Sequence, residues 1–422
     1  MKHRIVVLGA GYAGAVTAGR LAKRLHRDDV EITLVNADPD FVERVRLHQL
    51  ASGQDLPRRP LREIFAGTGV RVRAARVTAI DVDRKTVELV VEQGADTLAH
   101  DPLADETLAD DTLAHDPLAH DTLAYDTLVY ALGSTVADHG VPGVAEHAYD
   151  VAGKQAALRL RARLAEVAPG GTVLVVGGGL TGIEAAAEIA EAHPDLRVSI
   201  AARGGVGDWL SDKARRHLRG AFDRLGITVH ERADITRVEA DGVAVGAAGE
   251  IPAQVTVWTA GFTAHPLAAA TTLEVSDTGR IVVDDTMRSV SHPDVYAVGD
   301  AAFAQGAGDK PLRMGCATAN PMAWQAADAL AARLTGRKVP RTTIGYAAQC
   351  ISLGRRDAIV QRVTSDDRPT STVLTGRTAA RVKEFICAST AWALHHPTTM
   401  LPSRHRHLAS PRGSGRLTAS LS

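Results

Sequence analysis

Short, uninterrupted apolar runs recur along the chain, and each ends in glycine. Ile5–Leu8 in RIVVLG, Val173–Val176 in VLVVGG and the run DVYAVG at 294–299 are the clearest. Runs of this length, apolar at every position, read as strands buried on both faces, as a parallel sheet requires. After the first run, Val16, Leu21 and Leu25 suit a helix; after the second comes a stretch rich in Ala and Glu, IEAAAEIAEA. VEITLV at 30–35 and RVSIAA at 197–202 then supply the next strands. The pattern predicts an α/β chain with two complete βαβ units.

Residues 96–130 break the pattern. They form seven consecutive pentads, from DTLAH to DTLVY, with Leu third in each. A period of five matches neither the 3.6 of a helix nor the 2 of a strand. The last pentad, Asp126–Tyr130, begins an apolar strand that ends in a turn at Gly133. The earlier ones, Asp96–Ala124, read as copies of the approach to that strand and carry eight acidic residues but no Lys or Arg. They predict a protruding acidic loop or ragged hairpin between two strands, remote from any cofactor; a binding role for the insertion is the alternative.

The glycines add chemistry. Gly9, Gly11 and Gly14 form GxGxxG between a strand and a helix, with Tyr12 and Ala13 inside the motif. In such a turn the first glycine permits the bend, the second lets the backbone approach a pyrophosphate, and the third lets helix lie on strand. The free N–H groups of the helix end then face the phosphates. Gly177, Gly179 and Gly182, with Thr181, repeat the arrangement. Two such units imply two dinucleotides, or one dinucleotide and a flavin. Asn36 stands where a ribose-binding acid is usual, and can hydrogen-bond a ribose hydroxyl without charge. At the end of the second unit's second strand the acid is also missing, and Arg203 follows, a residue able to take a 2′-phosphate. NADPH is therefore expected to be accepted.

A hydrophobic content of 45% and a net charge of −1 describe a soluble globular protein with no basic excess for nucleic acid. Cys316, Cys350 and Cys387 lie far apart, with no CxxC or CxxxxC spacing. Separate reduced thiols in a cytoplasmic protein are expected, with neither a redox disulfide nor a metal site. The start of the chain lacks the pattern of a signal peptide, and no apolar run approaches the ~20 residues of a membrane span.

Five segments in order, the two glycine turns, the strand ending at Gly133, TVWTAGF at 256–262 with Gly261, and Gly299-Asp300, together resemble the pyridine-nucleotide-dependent FAD oxidoreductases. FVERVRLHQL at 41–50 stands where the disulfide-reductase branch has CxxxxC, and CISLGRRDAIVQ with LTGRTAARVKEFI is similar to the C-terminal segment of type II NADH:quinone dehydrogenases. The resemblance implies FAD and NAD(P)H as cofactors, with Asp300 on the ribityl chain of FAD. It implies Glu184 beside nicotinamide and flavin as the catalytic candidate, Lys383 as a weaker one, and His48 near the flavin edge. Against these stand plainer readings: a solvated helix glutamate, an exposed helix lysine and a structural histidine. The helix ATANPMAWQAAD departs from the family's quinone-site pattern: Asn320 replaces a first Gln, Trp324 replaces one of a pair, and Gln325 retains the other. Pro321 is compatible with a first-turn position.

The implied organisation is an FAD domain of 1–149 and 273–337, an NAD(P)H domain of 150–272, a C-terminal flavin-covering segment of 338–400 and a disordered tail of 401–422. The implied activity is hydride transfer from NAD(P)H to flavin and on to a quinone or similar small acceptor. A soluble biosynthetic or oxygen-using reductase and a flavin-binding redox sensor are the alternatives. Arg404, Arg406, Arg412 and Arg416 in the tail can touch anionic lipid, which leaves peripheral membrane contact open, as is a homodimer.

Overall fold

The computed structural model describes residues 1–92, 118–246, 249–398 and 405–409. Strand β1 (His3–Leu8) enters the first glycine turn, helix α1 (Tyr12–Arg24) leaves it, and β2 (Val30–Asn36) and β3 (Val70–Ala74) follow. Strands β4 (Arg76–Asp81), β5 (Thr86–Glu92) and β6 (Leu118–Ala124) form a separate antiparallel sheet, after which β7 (Thr127–Tyr130) returns beside β1. The first five-stranded sheet runs 295–297, β7, β1, β2, β3, with every pair parallel. Its order reverses between β1 and β7, the place where doubly wound sheets open a crevice for ligand.

The second sheet repeats the design. Strands β8 (Ser134–Val136) and β9 (Ala148–Tyr149) precede β10 (Thr172–Val176), β11 (Arg197–Ala202) and β12 (Thr228–Glu231). The parallel order is β12, β11, β10, 255–258, β9. The two crossings between sheets pair with each other, β8 running antiparallel to Phe262–Ala264. Two boundaries differ from expectation. Tyr149 already belongs to the second sheet, and Ala268 packs in the first core, so the return crossing completes before 268 and not at 273.

The C-terminal segment forms a three-stranded antiparallel sheet (Ala348–Ser352, Ala358–Val363, Pro369–Thr375) and the helix Gly376–Trp392. Its Ile351, Leu353 and Ile359 share one core with Val173, Val175 and Ile183 of the second domain. Short helix α2 (Leu47–Ala51) belongs to the first domain by sequence, yet Leu47, Leu50 and Ala51 are buried in this second core. Within the expected disordered tail, residues 405–409 lie along the end of α1: Arg406 N–H donates to the Arg24 carbonyl, His26 N–H to the Arg406 carbonyl, and Leu408 N–H to the Asp29 carboxylate. The rest of 401–422 lies outside the described residues. Among the described residues, no helix is long and apolar enough to cross a membrane.

The base of the pentad insertion is more regular than a ragged loop. All seven residues of β6 pair with β5 in unbroken antiparallel register, and Asp121 forms an ion pair with Arg73 at 2.7 Å. The remaining pentad residues, 96–117, lie outside the described residues. The final pentad is bound to β1. Asp126 accepts from Arg4 N–H (2.7 Å) and from both Nε and Nη2 of its guanidinium (3.1 and 2.8 Å), which holds its carboxyl down at about 2. Replacing 93–117 by Asn-Gly should leave flavin content and melting temperature unchanged. Asp126→Ala, which removes a half-exposed pair, should cost about 1 kcal/mol in urea unfolding. A melting loss in the deletion as large as that in Asp126→Ala would overturn the assignment.

Candidate functional site

The two glycine turns are built alike. Gly9 has φ +92°, and Gly177 φ +126°. A Cβ on Gly9 would run into the Ala131 carbonyl, and one on Gly177 into the backbone and hydroxyl of Thr259. Gly14 and Gly182 press on the carbonyls of Gly9 and Gly177, while Gly11 and Gly179 face open space. The first intrahelical donors are Ala15, to Gly11, and Ile183, to Gly179. The N–H groups of Tyr12, Ala13 and Gly14, and of Leu180, Thr181 and Gly182, therefore come before any intrahelical bond. Each turn is a cradle with donors and room for a pyrophosphate, so the residues fit FAD at the first and NAD(P)H at the second.

Asn36 has two partners within the turn. Its Oδ1 accepts from Ala10 N–H (2.8 Å) and its Nδ2 donates to the Asp38 carbonyl (2.7 Å), so it braces the turn. Arg203 is exposed just past β11, and no hydrogen bond or ion pair among the described residues occupies its guanidinium. Asp300 follows Gly299 (φ +69°) and is partly open; it accepts from Ser134 Oγ at 2.7 Å. Arg44 donates to the Ser134 carbonyl (3.2 Å) and stands 3.8 Å from Asp300, beside Gly133. Gly261 lies at the paired crossing, where its carbonyl accepts from Ala137 N–H.

Glu184 is neither solvated nor alone. It is buried in the second turn of the Leu180–Ala192 helix, and its Oε1 accepts from Ser352 N–H (3.0 Å) and Ser352 Oγ (3.1 Å). Lys383 of the C-terminal helix reaches the same carboxylate oxygen and donates to Ser352 Oγ at 2.9 Å. His48 of α2 closes the group, 3.9 Å from Glu184 Oε2 and 3.5 Å from Ser352 Oγ. Burial pushes the Lys383 ammonium down to about 8, with Arg46 adding to the drop and Cys387 and Glu384 pulling the other way. Burial, reinforced by Lys383, Arg355 and Arg46, holds His48 well below its ordinary range and so neutral near pH 7. The exposed-lysine alternative is thus set aside by the packing. Ser352 was not foreseen; CISLG offers only a strand end, and nothing local marks this serine as the bridge.

The Arg44–Ala51 stretch binds the parts together. Arg44 reaches Asp300, Arg46 clasps Glu384 with two hydrogen bonds (2.5 and 3.0 Å), and His48 reaches Ser352. Beside these lies the Cys316–Leu334 helix. It begins at Cys316, so Pro321 sits in its second turn, not its first, and removes the donor for the Ala317 carbonyl. Asn320 and Trp324 are four residues apart on one helix face, and their buried Oδ1 and Nε1 have no partner among the described residues. Gln325 does not join them: its amide donates to the Asp285 and Pro340 carbonyls (3.2 and 3.0 Å) and serves packing. Cys316, Cys350 and Cys387 are all free thiols.

Comparison with known proteins agrees with this geometry. An NADH dehydrogenase-like protein of Mycobacterium tuberculosis is 28% identical over 346 residues, covering 76% of this chain and 78% of the relative. The demethylphylloquinone reductase NdbB of Synechocystis is 26% identical, over 85% of this chain and 86% of its own. NDH2 from Plasmodium falciparum, solved in complex with NADH, shares the fold with a TM-score of 0.73 at 14% identity, covering 96% of this chain and 99% of that one. The family model for pyridine nucleotide-disulphide oxidoreductases matches residues 3–331, and the chain belongs to that family.

Proposed function

We propose that this oxidoreductase takes a hydride from NAD(P)H onto FAD and delivers the electron pair to a quinone-type acceptor. The observation that carries the reading is the Glu184–Lys383–Ser352–His48 cluster in a chain whose three cysteines are all free. With no CxxxxC pair in the sequence to receive electrons, they leave the flavin directly for a small acceptor. Relatives named as quinone reductases support that acceptor class.

The flavin, when bound, supplies the two-electron chemistry, and the protein supplies alignment and protons. Reduction of a quinone to its hydroquinone takes two electrons and two protons. A hydride accounts for both electrons and one proton, so the second proton comes through the protein from solvent. Lys383, with its lowered pKa, is suited to hold and release it, and Ser352 connects its ammonium to Glu184. Neutral His48 can accept or donate a hydrogen bond in the same group. Arg203, exposed where a 2′-phosphate would lie, supports acceptance of NADPH.

Glu184→Gln should lower steady-state turnover about tenfold or more through lost charge at the cluster; unchanged pre-steady-state and acceptor kinetics would refute the role. With quinone as acceptor, kcat should fall as pH rises through about 8, where the Lys383 ammonium loses its proton. Lys383→Met should abolish that limb of the profile; a limb that survives assigns it to another group. Arg203→Ala should raise the KM for NADPH about tenfold with little effect on NADH, because only NADPH carries the phosphate the guanidinium would bind. A strong preference for NADH that persists in Arg203→Ala would show the inference to be wrong.

A further inference from the structure

Beside the cluster a cavity of about 400 Å³ opens between the 352–358 turn and the C-terminal helix. Arg355, Arg356, Arg377, Arg381 and Lys383 line it, against two carboxylates, Asp357 and Glu384. Both carboxylates are already taken. Asp357 holds His217 (2.7 Å) and Arg224 (2.6 Å), and Glu384 holds Arg46 on both oxygens. Arg355 has Glu188 and Glu384 nearby, at 4.0 and 3.7 Å. Arg356, Arg377 and Arg381 have no hydrogen bond or ion pair among the described residues.

Five cations around one cavity repel one another, and a concave wall concentrates their field on whatever enters. A guanidinium is a planar fork matched to carboxylate, sulfonate or phosphate oxygens. The lining also includes Lys383 and buried Ser352, the residues that touch Glu184. The lining therefore joins cations that have no partner among the described residues to the buried Ser352 beside Glu184. The volume is that of a small-molecule site.

We infer that this cavity receives a small aromatic acceptor bearing an acidic group, its anion held by Arg356, Arg377 and Arg381 and its ring directed at Lys383 and Ser352. The inference rests on the proposed function and deepens it: the acceptor is an anionic quinone and not a neutral one. The same helix exposes Phe385 and Trp392, which makes an anionic lipid headgroup the rival occupant. Burial distinguishes the two: the lining that holds the arginines includes buried Ser352, whereas a headgroup needs only a surface.

The test uses the full-length holoenzyme and its R356A/R377A/R381A variant. With 1,2-naphthoquinone-4-sulfonate and 2-methyl-1,4-naphthoquinone as acceptors, the ratio of kcat/KM for the anionic over the neutral quinone should fall at least about tenfold, through KM, because a forked charge-assisted contact is lost. The single variants R377A and R381A should move it the same way by less. Calorimetric titration with naphthalene-1-sulfonate, with no NAD(P)H present, should show binding to the parent protein and a similar loss in the variant. Calorimetry keeps the pocket testable if neither quinone is reduced, a result that would count against the proposed function alone. An unchanged ratio with unchanged sulfonate binding overturns the inference. So does a variant that keeps sulfonate binding but no longer sediments with phosphatidylglycerol vesicles.

Discussion

A carboxylate and an ammonium taken out of water must be closed in from every side, or the cost of stripping their hydration exceeds their attraction. Glu184 is buried and Lys383 largely enclosed, open only toward the cavity, because three remote segments converge on them. The Leu180–Ala192 helix brings the carboxylate, the C-terminal helix brings the ammonium, and Ser352 fills the gap with a backbone N–H and a hydroxyl. The placement of the C-terminal sheet follows from this requirement. Ile351 and Ile359 bury it against the second domain, and Ser352, next in the strand, is thereby held at the carboxylate.

The stretch from Arg44 to Ala51 extends the same constraint across the molecule. Its apolar residues Leu47 and Leu50 enter the second core, although the chain on either side belongs to the first domain. Its polar residues point at three different partners, Asp300, Glu384 and Ser352. In disulfide-reducing members of the family this region carries a cysteine pair. Here it carries cations and a neutral histidine that order the surroundings of the buried pair. Arg46, through its two hydrogen bonds to Glu384, ties the C-terminal helix down.

The pentads illustrate how regularity in sequence and importance in structure can part. Their period matches no secondary structure, yet the copies in β6 alternate well enough to pair with β5, because any extended segment with Thr and Leu can join an open edge. The last copy differs in its neighbours more than in its residues. Asp126 meets Arg4, and Tyr130 packs at 0% exposure in the first core. Gln325 makes the converse point: it stands where a ligand contact was expected, and its amide is occupied by two backbone carbonyls that had to be satisfied once buried.

The amino-acid sequence by itself determined the two parallel sheets and the glycine turns. Strand burial and a pyrophosphate turn are local properties: a few apolar residues, a glycine that must adopt positive φ, and another that must lie flat on a carbonyl. Tertiary structure alone decided that Lys383 is largely enclosed rather than solvated, that Ser352 bridges it to Glu184, and that three arginines around a cavity have no partner among the described residues. These are properties of charge and burial. Hydration and electrostatic partners are set by whatever packs nearby, and the groups packed around Glu184 come from residues 48, 352 and 383, which no local pattern in the chain connects.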